Sequence, residues 1–236
     1  MSSPFSSTVT DFWLTVPPER MRRDAFRVII DPGLRDDLSL TLLDVVDGGG
    51  LATFQPAVAS LLSVEDGQSI ASRELRARIT DAGLALNGAD NLFYLPLSAR
   101  GELAAGMGQS DTRPLSEADA AAFAAFCATA PEADLDAAFV ELDHWLVYGA
   151  FESGDLAAVA SMYPWRDTRL ADVGVITLPS LRGRGIGRRI VRAIAADAVS
   201  RGYEPQYRCQ LDNLASVALA ESAGFRRFGF WDVVTA

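Results

Sequence analysis

Ala171-Asp-Val-Gly-Val-Ile-Thr-Leu-Pro-Ser-Leu-Arg-Gly-Arg-Gly-Ile-Gly-Arg-Arg-Ile-Val-Arg192 is the stretch whose reading decides the fold. Asp172 to Leu178 is β-branched and apolar, Pro179 to Gly187 punctuates it, and Ile190, Val191, Ile194 and Ala195 then recur at helical spacing. The segment therefore reads as a strand, a glycine-arginine loop and a helix. Within the loop, Arg182-Gly-Arg-Gly-Ile-Gly187 supplies glycines where a backbone must pass close to another group. Its N–H groups open a helix, and such a turn binds phosphate.

Charge sharpens the point. The formal net charge of the chain is -10, yet Arg182, Arg184, Arg188, Arg189 and Arg192 crowd this loop and the turns after it. Cations at a helix N-terminus oppose its dipole by roughly 0.3 to 1 kcal/mol each. A bound polyphosphate would offset that penalty; a solvated basic helix face is the other reading. Absences narrow the ligand. There is no lysine in the chain, which excludes a Walker-type phosphate loop and a pyridoxal Schiff base. Gly183-x-Gly185 is followed by Arg188 where a dinucleotide fingerprint needs its third glycine.

Arg182-x-x-Gly185-x-Gly187, after an apolar strand and at the start of a helix, resembles the coenzyme A pyrophosphate loop of the GNAT N-acetyltransferase superfamily. Downstream, Tyr207-Arg-Cys-Gln-Leu-Asp-Asn213-Leu-Ala-Ser216, with Leu219, Ala220 and Gly224-Phe225, is similar to that superfamily's second coenzyme-binding strand and helix. The resemblance implies a mixed, largely antiparallel twisted α/β sheet flanked by helices. It covers about the C-terminal half, and the expected organisation is a smaller N-terminal α/β module over 1–105 and an acetyltransferase domain over 112–236.

In the acetyltransferase segment the expected order begins with a short strand at Arg113 and a helix capped by Ser116 with Asp119 three residues on. Asp134 to Leu142 suggests a second short helix, and His144 to Phe151 pairs with Leu156 to Tyr163 through a hairpin at Glu152-Ser-Gly-Asp155. A strand at Gln206 to Leu211, a helix at Leu214 to Ala223 and a strand at Phe228 to Val234 complete it. Before it, Phe26 to Ile30 and Asn91 to Leu97 read as strands, Pro56 to Ser63 and Arg73 to Ala82 as helices, and Ser98 to Thr112, with Gly101, Gly106 and Gly108, as a linker. The N-terminal module carries no catalytic constellation; scaffold, lid and homodimer surface all stay open.

With 236 residues and 49% hydrophobic content the chain can bury a substantial core. Its first residues lack the charged and apolar regions of a signal peptide and no apolar run is long enough to span a membrane, so a cytoplasmic location is expected. Cys127, Cys209 and the single histidine, His144, form no metal-ligand pattern, and no metal is expected. The acidity argues against nucleic acid and favours cationic small molecules or basic peptides.

The resemblance implies coenzyme contacts at particular positions. Backbone groups of Val175, Ile176 and Thr177 would take the pantetheine arm as an added strand, and one N–H there would polarise the thioester carbonyl. Arg182, Gly183, Arg184, Gly185, Ile186, Gly187 and Arg188 would hold the pyrophosphate. Asn213 and Ser216 would lie near the pantetheine, with an N-cap for the Leu214 helix an equally good reading of Asn213. The family's frequent tyrosine falls at Ala220, so water or Ser216 would have to protonate the leaving thiolate.

For the base, the family's frequent glutamate falls at Ala171; Asp172 is one residue off, on the opposite face unless a bulge intervenes. Glu141, Asp143 and His144 cluster before the hairpin, and imidazole has a pKa suited to base work. Trp145, Tyr148, Tyr163 and Trp165 are candidates to line an acceptor pocket or to fill core. The expected activity is transfer of an acyl group, acetyl by expectation, from coenzyme A to a primary amine of a small molecule or peptide. A non-catalytic coenzyme-binding sensor is the alternative; a histidine-dependent hydrolase lacks a Gly-x-Ser-x-Gly elbow.

Overall fold

A computed structural model of the chain describes residues 3–17, 20–35, 37–46, 48–105 and 111–235. The helices are α1 (Ser7–Trp13), α2 (Pro56–Leu61), α3 (Ser72–Asp81), α4 (Arg100–Ala105), α5 (Ala120–Thr129), α6 (Glu132–Ala138), α7 (Ile186–Ser200) and α8 (Leu214–Ala223). The strands are β1 (Ala25–Ile30), β2 (Leu38–Val45), β3 (Gly50–Phe54), β4 (Ser69–Ala71), β5 (Asp90–Tyr94), β6 (Thr112–Pro114), β7 (Leu146–Glu152), β8 (Asp155–Pro164), β9 (Leu170–Thr177), β10 (Glu204–Gln210) and β11 (Arg226–Thr235). Gly106 and Gly108 of the expected linker lie outside the described residues; Arg100–Ala105 within it is helical.

The chain divides into two compact units that interleave along the sequence. One holds residues 1–10, 93–208 and 214–226; the other holds 11–92, 209–213 and 227–236. The C-terminal strand, expected to complete the acetyltransferase domain, accounts for part of this. β11 pairs antiparallel with β2, from Gly229 opposite Val45 to Val234 opposite Leu40. Seven residues of β11, Gly229 to Thr235, thus find their partners on a strand nearly two hundred positions earlier, a pairing that no local pattern reveals.

In the second unit the strands run β4-β1-β3-β2-β11, with β1 and β3 parallel and the other neighbours antiparallel. Phe26, Val28, Leu40, Leu42, Ala52 and Phe54 alternate inward and close on Leu75 and Ile79 of α3. The strands β2, β3 and β4 and the helix α1 escape the sequence reading; β3, β4 and α1 are five, three and seven residues long, too short to show a clear period, and β2, LSLTLLDV, is apolar on both faces and does not alternate cleanly.

In the first unit the order is β10-β9-β8-β7-β6, antiparallel except for β9 with β10. Ser153 at φ 53° and Gly154 at φ 94° form the tight turn of the β7–β8 hairpin; two successive left-handed residues match the twist of the strands. The capping box is present at Ser116, whose backbone N–H donates to Asp119 Oδ2 at 2.9 Å. Arg113 Nη2 donates to Asp119 Oδ1 at 2.7 Å, and these hydrogen bonds hold the Asp119 pKa down to about 2. A carboxylate depressed in the fold contributes stability above its unfolded pKa, and that contribution disappears as pH falls from about 4 through about 2. Acid titration followed by amide exchange should show the capped turn Glu117–Asp119, which leads into α5, opening in that window.

α7 buries Ile186, Ile190, Ile194 and Ala198, one stripe at a spacing of four, with Val191 and Ala195 beside it. Opposite sheet residues Val147, Val159 and Ile176 pack with Leu115, Phe126 and Val140 into a second layer of core.

Candidate functional site

β9 is where the sheet opens. On one side it pairs with β8 along its length, from Pro164 opposite Ala171 to Ala158 opposite Thr177. On the other, its parallel pairing with β10 covers only Leu170, Ala171 and Asp172, opposite Glu204, Pro205 and Gln206. From Val173 to Thr177 the β10-facing edge of the strand has no ladder, although both strands continue. Val175, Ile176 and Thr177 therefore lie beside a wedge between strands, where the Thr177 carbonyl accepts from Arg182 Nε and the other backbone groups on that edge have no β10 partner.

The two faces of β9 carry different elements. A Cβ built on Gly174 would run into the carbonyl oxygen of Ala138, so the end of α6 rests on that face, which also bears Asp172 and Ile176. On the other face, a Cβ on Gly187 would lie 3.1 Å from Thr177 Oγ1 and 3.4 Å from Leu219, so glycine lets α7 settle against β9 and α8.

The loop between them is open. Gly183 and Gly185 both sit at φ 76°, and Gly185 is the N-cap of α7. Ile186, 1% exposed, anchors the helix beneath them. Four of the five arginines are engaged by the protein itself. Arg182 donates to Asp134 Oδ2 at 2.5 Å and to the Thr177 carbonyl at 3.1 Å, and Arg184 to Glu152 Oε2 at 3.4 Å. Arg189 donates to Asp111 Oδ2 at 3.3 Å, while Arg192 reaches the carbonyls of Ala223 and Glu102 at 3.2 and 2.9 Å. Arg188 is exposed and has no ion pair or hydrogen bond among the described residues. The basic crowding is thus largely neutralised, and one arginine is left to meet an anion. The open glycines, the exposed Arg188 and the unladdered edge of β9 fit a ligand with a polyphosphate at one end and an amide-bearing arm at the other.

His144 stands just before β7, on the face of the sheet that carries α6. Its Nδ1 lies 2.9 Å from Ser161 Oγ on β8, and its Nε2 lies 3.6 Å from Glu141 Oε2. The ring contacts Phe139 and Tyr163, with centroids 5.2 and 4.9 Å away. Phe139 adopts φ 46° as the C-cap of α6 and is half exposed, which turns its ring onto His144 and Tyr163. Burial lowers the imidazole pKa below its usual value, against the opposing pull of Glu141 and Asp143. The neutral form therefore dominates at neutral pH, with one ring nitrogen bonded to Ser161 and the other near exposed carboxylates.

Asp172 is differently placed. It is 4% exposed, accepts Gln206 Nε2 on Oδ1 at 2.6 Å, and is clasped by Arg208 through Nε at 3.0 Å and Nη2 at 2.6 Å on Oδ2. A general base needs a lone pair directed at the proton it removes. Here the carboxylate oxygens accept from a guanidinium fork and an amide.

The four aromatic candidates separate into two groups. Tyr163 contacts His144, and Trp165 lies under the Arg208 guanidinium at 5.4 Å. Trp145 instead packs on Tyr203 at 4.3 Å, and the Tyr148 hydroxyl donates to Asp197 Oδ2 at 3.1 Å; burial and that carboxylate push its pKa up to about 12. Asn213 immediately precedes α8, and its N–H donates to the Gln210 carbonyl at 3.2 Å. Ser216 is half-buried in the first turn of α8, and Ala220 is fully buried in the same helix. Cys209 is held in the thiol form by burial, its pKa raised to about 11. Among the described residues no group of side chains could hold a metal ion, and no helix is long and apolar enough to cross a membrane. Ser161, Phe139, Gln206 and Arg208 were not singled out from sequence; each is placed by cross-strand register or a left-handed cap, and only Arg208, inside the second motif, left any local trace.

The profile of the Acetyltransferase (GNAT) family matches residues 115–225, which identifies that segment as a GNAT acetyltransferase domain. Its fold is the mixed α/β arrangement of GNAT proteins, a largely antiparallel sheet flanked by helices. An acetyltransferase of the GNAT family from Colwellia psychrerythraea superposes with a TM-score of 0.53 at 18% identity, over 78% of this chain and 76% of that one. A GNAT-family protein from Novosphingobium aromaticivorans is 24% identical with a TM-score of 0.47, and a GCN5-related N-acetyltransferase-like protein from Streptococcus suis is 16% identical with a TM-score of 0.47. The first of these two matches covers 64% of this chain and 65% of the other, the second 88% and 87%. This chain thus spans just under two thirds of the Novosphingobium protein's length. No curated protein sequence matches the chain.

Proposed function

We propose that the protein is an acyl-coenzyme A-dependent N-acyltransferase that moves an acetyl group from acetyl-CoA to a primary amine of a small molecule or peptide. The observation that carries this reading is the wedge beside Val173 to Thr177, which lies next to a glycine loop with one uncommitted arginine. A pantetheine arm can add to that edge as a strand would, with its amides bonded to the free backbone groups. Gly183 to Arg188 then cradle the pyrophosphate, with Arg188 as the principal cation. Backbone N–H groups of β9 are the candidates to polarise the thioester carbonyl, and Ser216 flanks the arm from the first turn of α8.

His144 takes the proton in this reading. With Nδ1–H donating to Ser161, the tautomer leaves Nε2 as an acceptor beside Glu141, whose carboxylate attracts the incoming ammonium. The deprotonated amine attacks the carbonyl carbon, a C–N bond forms, the nitrogen sheds its second proton to solvent water, the C–S bond breaks, and the thiolate leaves with the electron pair. Water or Ser216 returns a proton to sulfur, since the position of a family tyrosine is occupied by buried Ala220. The acidic surface charge draws cationic acceptors and repels nucleic acid.

Calorimetric titration with acetyl-CoA, beside thiol release on a panel of primary amines, tests the proposal. Micromolar binding with release on one amine is the expected result; no binding would sink it. The buried alanine also favours a second reading, a coenzyme-binding sensor, for which binding persists and no amine releases thiol. Within the binding experiment, Arg188→Ala should weaken acetyl-CoA by about tenfold to a hundredfold, the worth of a charge-assisted hydrogen bond, and flatten the salt dependence. Arg182→Ala should weaken it less, because that guanidinium is already paired with Asp134.

A further inference from the structure

We infer that Asp172 and Arg208 form a side-chain lock that sets how far β9 and β10 part, and so the width of the wedge that receives the pantetheine arm. The functional half of this inference rests on the acyltransferase reading; the lock itself does not.

The backbone ladder between the strands ends at Asp172 opposite Gln206. At that last pair the side chains take over. Gln206 donates to Asp172 Oδ1 at 2.6 Å and accepts from the hydroxyl of Tyr94, and both Gln206 and Tyr94 are fully buried. One step further along the same face of β10, Arg208 reaches back across the opening. It grips Asp172 through Nε, 3.2 Å from Oδ1 and 3.0 Å from Oδ2, and through Nη2 at 2.6 Å from Oδ2. Trp165 backs the guanidinium at 5.4 Å.

A planar guanidinium fork against a carboxylate fixes both distance and orientation, which a single amide or an ammonium cannot do. The pair is also sheltered: the side chains are 6% exposed for Asp172 and 25% for Arg208. Such a buried pair contributes little net stability over an apolar substitute, yet removing one partner is strongly unfavourable. A purely stabilising role at this depth is met as well by hydrophobic packing. What the fork supplies is a defined separation, at the point where the strands stop supplying it themselves.

Asp172 is accordingly a positioning residue. Tyr163, directly opposite Asp172 on β8, touches His144, so the lock also borders the proposed base.

Two measurements on the full chain test this. Arg208→Lys keeps the charge and loses the fork, and Asp172→Asn keeps the shape and loses the charge; the lysine variant is retained should the asparagine variant fail to fold. In the ligand-free protein, the lock predicts that amide exchange at Leu170–Asp172, Glu204 and Gln206 rises about tenfold or more, with β7 amides unchanged. A uniform rise, or none, overturns the lock. In calorimetry, the variants should bind acetyl-CoA about tenfold more weakly and bind the phosphoadenosine diphosphate half of coenzyme A as the parent does. Equal weakening of both probes, or of neither, overturns the assignment of the wedge. Were the parent to bind neither probe, the acyltransferase reading would fall, and the exchange result would alone decide the lock.

Discussion

His144→Ala should lower the turnover of acyl transfer by about 10²- to 10⁴-fold, the usual worth of a positioned base, and leave acetyl-CoA affinity within about twofold of the parent. The separation of the two effects follows from geometry. His144 faces Ser161, Phe139, Tyr163 and Glu141, on the side of the sheet that carries α6, whereas the glycine loop opens α7 on the other side of β9. Measured on whichever amine releases thiol, the parent should show an acid limb in kcat/KM that lies below the ordinary imidazole range, because burial lowers the pKa of the ring. Activity requires the neutral ring, so rate falls as pH drops through that value. The limb should be absent in His144→Ala. A variant that keeps the parent limb and rate would assign the base elsewhere.

The same titration bears on stability. A histidine held neutral in the fold binds fewer protons there than in the unfolded chain. The folded state is therefore favoured at and above pH about 6.5, and loses this contribution as pH falls from there through the lowered folded value. Removing the imidazole should flatten that part of the stability profile. Glu141→Gln, by contrast, takes away one of the charges that raise the ring's pKa and should move the acid limb further down.

How far the sequence carries can be seen by comparing two halves of the same strand. Val175, Ile176 and Thr177, the loop and α7 were legible because a β-branched run, paired glycines and a four-residue apolar repeat are all local signals. Asp172 was legible as a residue and illegible as a role. Its function depends on Arg208 and Gln206, thirty-six and thirty-four positions away, and on the register that brings them level. The same holds for β11, whose partner β2 lies at the other end of the chain. His144, Glu141 and Asp143 could be grouped from proximity in sequence, but Ser161 enters only through the hairpin register, and Phe139 only through the left-handed cap of α6. The arginine cluster misled in the opposite direction. Composition displays five cations, and the fold supplies carboxylates or carbonyls to four of them.

Gly174→Ala should destabilise the domain by about 1 to 3 kcal/mol, the range for overpacking a well-filled core, and reduce acyl transfer with it. The added methyl would meet the carbonyl oxygen of Ala138, with its carbon 3.1 Å away and Val140 Cγ1 at 3.3 Å. A backbone atom cannot move aside as a side chain can, so α6 must shift off β9. That shift acts on Phe139, which follows Ala138, ends α6 at φ 46° and stacks on both His144 and Tyr163. A left-handed non-glycine residue is costly by itself, roughly 1 to 3 kcal/mol, and is retained only where its surroundings over-determine it. Once α6 is displaced, the cap can relax and His144 loses the ring that shields it. Thermal unfolding should fall by about 2 to 12 °C for a chain of this size. The imidazole pKa, followed by NMR, should rise toward its unperturbed value as burial decreases, and the acid limb of activity should rise in step. A stable variant with an unshifted imidazole would mean that α6 does not hold the His144 environment.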